Sequence, residues 1–169
     1  MDERGRDFIQ YIPRLRRYAR ALTGERARAD DLVQDTLERA LVKFELWRPG
    51  SDLRAWLFTL MHNVFINQLR TQRATVSADL DDDAAQVAVR ATQGDRLELR
   101  DLQAALARLP EEQREVVLLV GLEQMTYEET AAALGIPVGT VMSRLSRGRE
   151  RLRVLLAGGA LHVPLKVVK

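Results

Sequence analysis

The 169-residue chain contains no cysteine. That excludes a disulfide framework and any metal site built on thiolates. Its two histidines, His62 and His162, have no partner ligands at metal-binding spacing, so neither a metal nor a cofactor is expected. No apolar run approaches the roughly 20 residues that a helix needs to cross a bilayer. The opening residues, MDERGRDF, are charged and lack the apolar core of a secretory signal. The chain therefore reads as soluble and cytoplasmic, with no membrane span. Strand-type alternation is missing throughout. So are a nucleophile–base pair and a phosphate-binding loop, and no enzymatic activity is expected. Wholesale disorder is excluded in turn, because 46% of the residues are hydrophobic.

The small net charge of +2 conceals a partition. Residues 1–73 hold 14 Lys/Arg against 10 Asp/Glu, and residues 96–169 hold 11 against nine. Between them, residues 74–95 hold one Arg and five Asp. Two basic lobes thus flank an acidic middle, which reads as a solvated linker and also has the character of a nucleic-acid mimic. Apolar residues recur at helical spacing in three N-terminal segments. The first runs through Phe8, Ile12, Leu15, Tyr18 and Leu22 to Gly24. The second spans about Ala27 to Phe44, with an inner stripe of Leu32/Val33, Leu37, Ala40/Leu41 and Phe44. The third is capped by Ser51 or Asp52 and runs to about Arg73 on Leu53, Trp56/Leu57, Leu60 and Val64. From 74 to 93 the periodicity is poor, with at most one helical turn near Ala84–Ala91. Helical pattern resumes from Leu97 to Leu109, and Pro110 marks a further N-terminus, where Glu111, Glu112 and Glu115 suit the positive end of the helix dipole.

The densest information lies in MTYEETAAALGIPVGTVMSRLSRGRERL, Met125 to Leu152. Thr126 and Glu129 form a capping box, in which each side chain satisfies the other residue's backbone N–H. A short helix with a small-residue face follows. Gly135 supplies the turn, and Pro137 restarts a helix where its missing N–H costs nothing. The second helix, Val138 to about Leu156, carries Arg144, Arg147, Arg149, Arg151 and Arg153 against a single Glu150. This is a helix–turn–helix with a basic second helix, the arrangement that lays a helix into the major groove of DNA. The expected architecture is all-α: two small helical bundles at 1–73 and 96–157, an acidic linker at 74–95, and a tail at 158–169. The tail reads as unstructured or as docking on the second bundle or a regulator.

The third segment is unusual for a surface helix. Besides its core stripe it carries Phe58, Phe65 and Leu69 on another side, with Asn63 and Asn67 one turn apart and Arg70 and Arg73 beyond. It reads as a central helix packed on two sides. It reads equally as a single-strand surface, in which amides bond unpaired base edges and arginines hold phosphates.

DDLVQDTLERAL, Asp30 to Leu41, followed by LRAWLFTLMHNVFINQLR, Leu53 to Arg70, resembles domain 2 of the extracytoplasmic-function (ECF) sigma factors. LARLPEEQREVVLLVGLEQMTYEETAAALGIPVGTVMSRLSRGRERL, Leu106 to Leu152, resembles their domain 4. The two matches cover most of the chain in the family's order. The resemblance implies core RNA polymerase, promoter DNA and an anti-sigma factor that clamps both domains as partners. It assigns Asp31, Gln34, Asp35 and Glu38 to the β′ clamp helices, where an acidic, amide-bearing strip can pair with arginines. Without it, that strip is an ordinary solvated face. It assigns Trp47, Arg48, Asn63, Asn67, Arg70 and Arg73 to the melted −10 strand, with Asn63 at the family's pocket-forming asparagine. Relatives often carry aspartate at position 67; the amide here donates as well as accepts, which changes base preference. His62 departs from a commonly basic residue and would keep a phosphate contact only when protonated. Gly139, Thr140, Met142, Ser143, Arg144 and Arg147 would read the −35 element, with Met142 standing where relatives often carry Lys or Arg. Part of the Val116–Leu122 surface would face the β flap. In the family the linker threads the polymerase cleft, which would set Asp79, Asp81, Asp82 and Asp83 in the path of the RNA. Two other readings stay open on the residues alone. One is a helix–turn–helix regulator that is not a polymerase subunit, which leaves Asp30–Arg73 unexplained. The other is a protein-interaction module that sequesters a regulator without touching DNA.

Overall fold

Pro13 divides the first predicted helix in two. A proline ring clashes with the carbonyl four residues back and brings no N–H, so it is tolerated only at the start of a helix. The chain accordingly forms α1 (Glu3–Ile9), breaks at Gln10–Tyr11, and restarts as α2 (Ile12–Thr23). Gly24, at φ 73°, then closes α2 by donating its N–H to the Arg20 carbonyl. The computed structural model describes residues 3–76 and 95–160, with side chains within 6–76 and 98–158. The predicted linker body, its helical turn and its aspartates, and the tail beyond 160 with His162, lie outside the described residues.

Helix α3 (Arg26–Lys43) buries Ala29, Leu32, Val33, Thr36 and Ala40. Leu41 was expected on this stripe but is 60% exposed. At 3.6 residues per turn it lies about 120° around the helix from Ala29, whereas Ala40 lies within about 20°. The place expected for an apolar residue is taken by Thr36, whose hydroxyl is satisfied by donating to the Leu32 carbonyl at 2.6 Å. A 3₁₀ turn at Phe44–Leu46 and a loop lead into α4 (Leu53–Val76). Asp52 is the cap that forms: its Oδ1 accepts from the N–H groups of Arg54 at 3.0 Å and Ala55 at 3.3 Å. Ser51 instead donates to the Arg48 carbonyl. Helix α4, about 36 Å long, buries Leu57, Phe58, Leu60, Met61, Val64, Phe65 and Leu69 and is packed on two sides. Tyr18 meets Phe58 edge-on at 5.0 Å, and Phe8 meets Phe44 edge-on at 5.1 Å.

The second lobe comprises α5 (Asp95–Ala107), α6 (Glu111–Gly121), α7 (Tyr127–Leu134) and α8 (Val138–Ala160). Both hydrogen bonds of the Thr126–Glu129 capping box are present, at 3.0 and 2.9 Å. Gly135 takes the left-handed conformation, at φ 65°, that ends α7. Helix α8 runs four residues past its expected end, through Gly158 and Gly159 to Ala160. It crosses α6 at Gly148, so closely that an added Cβ would stand 2.7 Å from Val117 Cγ2. Among the described residues there is no strand.

The two lobes pack together, α2 against α5 and α6, and α4 against α7. Arg114 of α6 works as a cross-lobe staple. Its guanidinium donates to the carbonyls of Leu106 at 2.7 Å, Ala107 at 3.0 Å and Leu109 at 2.8 Å, and to Leu22 at the end of α2 at 2.8 Å. It thereby satisfies orphan carbonyls at two helix C-termini at once. Burial lowers its pKa from the ordinary arginine value.

Candidate nucleic-acid interface

The start of α8 presents its functional residues on one face. Gly139, Thr140, Ser143, Arg144 and Arg147 line a single groove, walled on the α6 side by Glu112 and Gln113. Their spacing of three to four residues stacks them along the helix. Arg144 is half-buried with its Nη2 3.8 Å from Glu112 Oε2, and Ser143 donates to the Gly139 carbonyl at 3.0 Å. Met142 does not join this groove. It is 52% exposed and lies over a neighbouring depression with Tyr127, Ser146 and Arg149. Farther along, Arg149 and Arg151 are exposed. Arg153 pairs with Glu150 at 3.0 and 2.7 Å. That bond raises the arginine's pKa and lowers the glutamate's.

On α4, Asn63, Asn67 and Arg70 are exposed and share one face. Arg73 is exposed too, and its Nη2 donates to Glu111 Oε2 of the second lobe at 3.0 Å. The two loop residues stand apart from this group, because Asn63 lies about 15 Å along the helix from Leu53. Arg48 is exposed. Trp47 is half-buried with its ring 5.4 Å from that of Phe44, and its indole N–H is buried without a hydrogen-bond partner. His62 turns to the second lobe, where its Nδ1 lies 2.7 Å from Glu115 Oε1.

The acidic strip on α3 is exposed at all four positions, Asp31, Gln34, Asp35 and Glu38. Gln34 donates to Glu38 at 3.3 Å. Asp31 and Asp35 line a cleft between α3 and α4 that Asn67 also lines. Across it Gln68 donates to Asp35 Oδ2 at 2.9 Å. Gln68 was not singled out from the sequence. Its neighbour Asn67 drew attention, and only the helix packing shows that position 68 reaches α3. No cluster that could hold a metal occurs among the described residues, and no helix there is long and apolar enough to cross a membrane.

Two all-α lobes, one with a basic helix–turn–helix groove and one with an exposed asparagine face on its central helix, define a DNA-binding transcription protein. Comparison with known proteins is more specific. Residues 8–62 match the family model for the Sigma2 domain of PhyR, and residues 99–152 match Sigma-70, region 4. The chain is 42% identical over 150 residues to the ECF RNA polymerase sigma factor EcfG of Rhodopseudomonas palustris, covering 89% of this chain and 83% of that protein. Among solved structures it is similar to the sigma factor RpoE of Bartonella quintana in complex with the anti-sigma factor NepR. There the TM-score is 0.82 at 38% identity, over 90% of this chain and 96% of that one. It is also similar to CnrH in complex with the cytosolic domain of CnrY, with TM-score 0.68 at 29% identity, over 92% of this chain and 88% of that one. The chain belongs to the ECF sigma factor family of RNA polymerase initiation factors.

Proposed function

We propose that this chain is an alternative sigma factor that binds core RNA polymerase and directs it to promoters carrying their own −35 and −10 sequences. The observation that carries the reading is the single groove at the start of α8, which gathers Gly139, Thr140, Ser143, Arg144 and Arg147. An arginine in such a groove can grip guanine bidentately, and Thr140 and Ser143 can bond phosphate or base. Asn63, Asn67 and Arg70 take the melted −10 strand. Trapping flipped bases offsets an unstacking cost of a few kcal/mol per step, so opening requires no chemistry by this protein. It is not an enzyme, and it acts in the cytoplasm. The strip of Asp31, Gln34, Asp35 and Glu38 docks on the β′ clamp helices, and the outer surface of α6 on the β flap. Domain 2 occupies 1–73 and domain 4 occupies 96–157, with the acidic linker between them. Control by an anti-sigma factor is supported by the solved relative RpoE, held by the anti-sigma factor NepR.

The test is run-off transcription with purified core polymerase and genomic fragments, reading transcript starts by sequencing. New starts that share −35 and −10 sequences are expected. If no starts appear while the protein still shifts DNA alone, it is an ordinary helix–turn–helix regulator.

A further inference from the structure

Helix α8 enters the candidate interface with two unlike flanks. Val141 and Leu145 are buried, at 0% and 3% exposure, and fix which side of the helix faces the core. At about 100° per residue, Ser143 lies about 160° around the helix from both and so points outward. Measured from Ser143, Thr140, Arg144 and Arg147 fall about 40–100° to one side. Met142, Ser146 and Arg149 fall about 60–120° to the other. The two depressions on the surface follow this division. Thr140, Arg144 and Arg147 line the polar groove on the α6 side. Met142 and Ser146 line the other depression, together with Tyr127 of α7, Leu145, Arg149 and the Glu150–Arg153 pair. Of the apolar side chains between 138 and 148, only Met142 is exposed, at 52%.

The major groove is about 12 Å wide, close to the diameter of a helix with its side chains. A recognition helix seated there meets the groove with both flanks. The arginine flank offers hydroxyls and guanidinium groups to base edges. The Met142 flank offers a thioether, which has no hydrogen to donate and is only a weak acceptor. A polar base edge pressed against it loses water without gaining a bond, and that costs affinity. One base presents carbon on its major-groove edge, namely thymine through its C5-methyl. The three rotatable bonds of methionine let its own methyl reach such a group. Tyr127 and Leu145 line the same depression, so a base methyl placed there would join an apolar cluster. Arg149 stands about 10 Å farther along this flank, placed for the adjoining phosphate.

We infer that Met142 is a specificity residue, which reads the C5-methyl of a thymine in the −35 duplex from the flank of α8 opposite the arginine groove. This rests on the −35 role proposed for α8. The contact itself can be measured without polymerase. The full chain is used to select duplexes from a fully randomised 20-base-pair library at about 50 mM salt, where phosphate contacts are strong. The tightest duplex is then remade with deoxyuridine in place of thymidine, one position at a time, which removes a C5-methyl and nothing else. At one position the uracil duplex should bind about fourfold more weakly, the value of one buried methyl group. Met142→Ala should abolish that difference, and Met142→Leu should retain it. Met142→Lys should also abolish it and steepen the fall of log affinity with log salt by about 0.9, for one added phosphate contact. Folding of each variant is checked by circular dichroism, and the uracil comparison in the unsubstituted chain needs no variant. Equal binding of every uracil duplex by that chain, or selection without sequence preference, would overturn the inference. A uracil penalty that survives in folded Met142→Ala would overturn the assignment to this side chain. Run-off transcription separates the wider reading. A Met142-dependent uracil penalty without polymerase-dependent starts would support the thymine contact and refute the sigma-factor role. Starts without any uracil penalty would do the reverse.

Discussion

Gly148→Ala should lower stability, although alanine is the better helix former. The gain in helix propensity is about 0.8–1 kcal/mol. Against it stands a Cβ placed 2.7 Å from Val117 Cγ2 and 3.4 Å from Gln113 Cβ. Carbon atoms prefer about 3.5–4.0 Å, and Val117 cannot swing aside because a β-branched side chain in a helix has essentially one rotamer. Overpacking of this kind costs roughly 1–3 kcal/mol. The net expectation is a loss of about 0–2 kcal/mol, read as a lower urea midpoint with unchanged slope. The decisive comparison is the same substitution in a Val117→Ala background. With the obstructing methyl gone, Gly148→Ala should stabilise by about 1 kcal/mol, so the sign reverses. Equal stabilisation in both backgrounds would refute the argument that α6 and α8 cross in contact at this glycine. Gln113 walls the groove lined by Arg144 and Arg147. Gly148→Ala alone should therefore also weaken −35 binding, measured by promoter capture with polymerase.

Other expected outcomes follow from the same geometry. Arg144→Ala with Arg147→Ala should abolish promoter-specific run-off transcripts, since each bidentate base contact contributes about 1–3 kcal/mol of discrimination; retained transcription would overturn the role given to these two arginines. Asn63→Ala should reduce strand opening, followed by permanganate reactivity of unpaired thymines, while leaving duplex −35 binding unchanged. Thr126→Ala should cost about 1 kcal/mol by removing the α7 cap, seen in urea unfolding. Tyr18 has a raised pKa in the fold. Its unfolded form therefore loses a proton first, and stability should hold below pH 10 and fall as pH rises above it. Ultraviolet titration should show one of the three tyrosines ionising only on unfolding, and Tyr18→Phe should remove that slope.

Within each lobe much of the helical pattern was legible, because apolar periodicity and capping chemistry are local. The Thr126–Glu129 box and the Gly135 turn could be read as written, since each depends on residues a few positions apart. Leu41 was misplaced because a stripe read every three or four residues drifts around a helix of 3.6 per turn. The break before Pro13 was hidden by apolar spacing that continues across it. What could not be read was the pairing between lobes. Glu115, Glu123 and Arg114 look like surface charges in sequence, and their enclosure depends on partners 53 to 109 positions away. Of the six residues picked on α8 from the sequence, Gly139, Thr140, Ser143, Arg144 and Arg147 line one groove, while the angle of Met142 around the helix carries it out of that groove.

Helix α4 divides its circumference among separate duties. The positions that reach water at Asn63, Asn67 and Arg70 touch neither the core stripe nor the contact with the second lobe. Surface changes of that kind usually alter stability by no more than about 0.5 kcal/mol. On the proposed −10 role of these three residues, duplicated copies of this chain could therefore drift toward new promoter vocabularies without passing through an unfolded ancestor. His62 and Arg73, anchored to carboxylates across the lobe boundary, have no such licence.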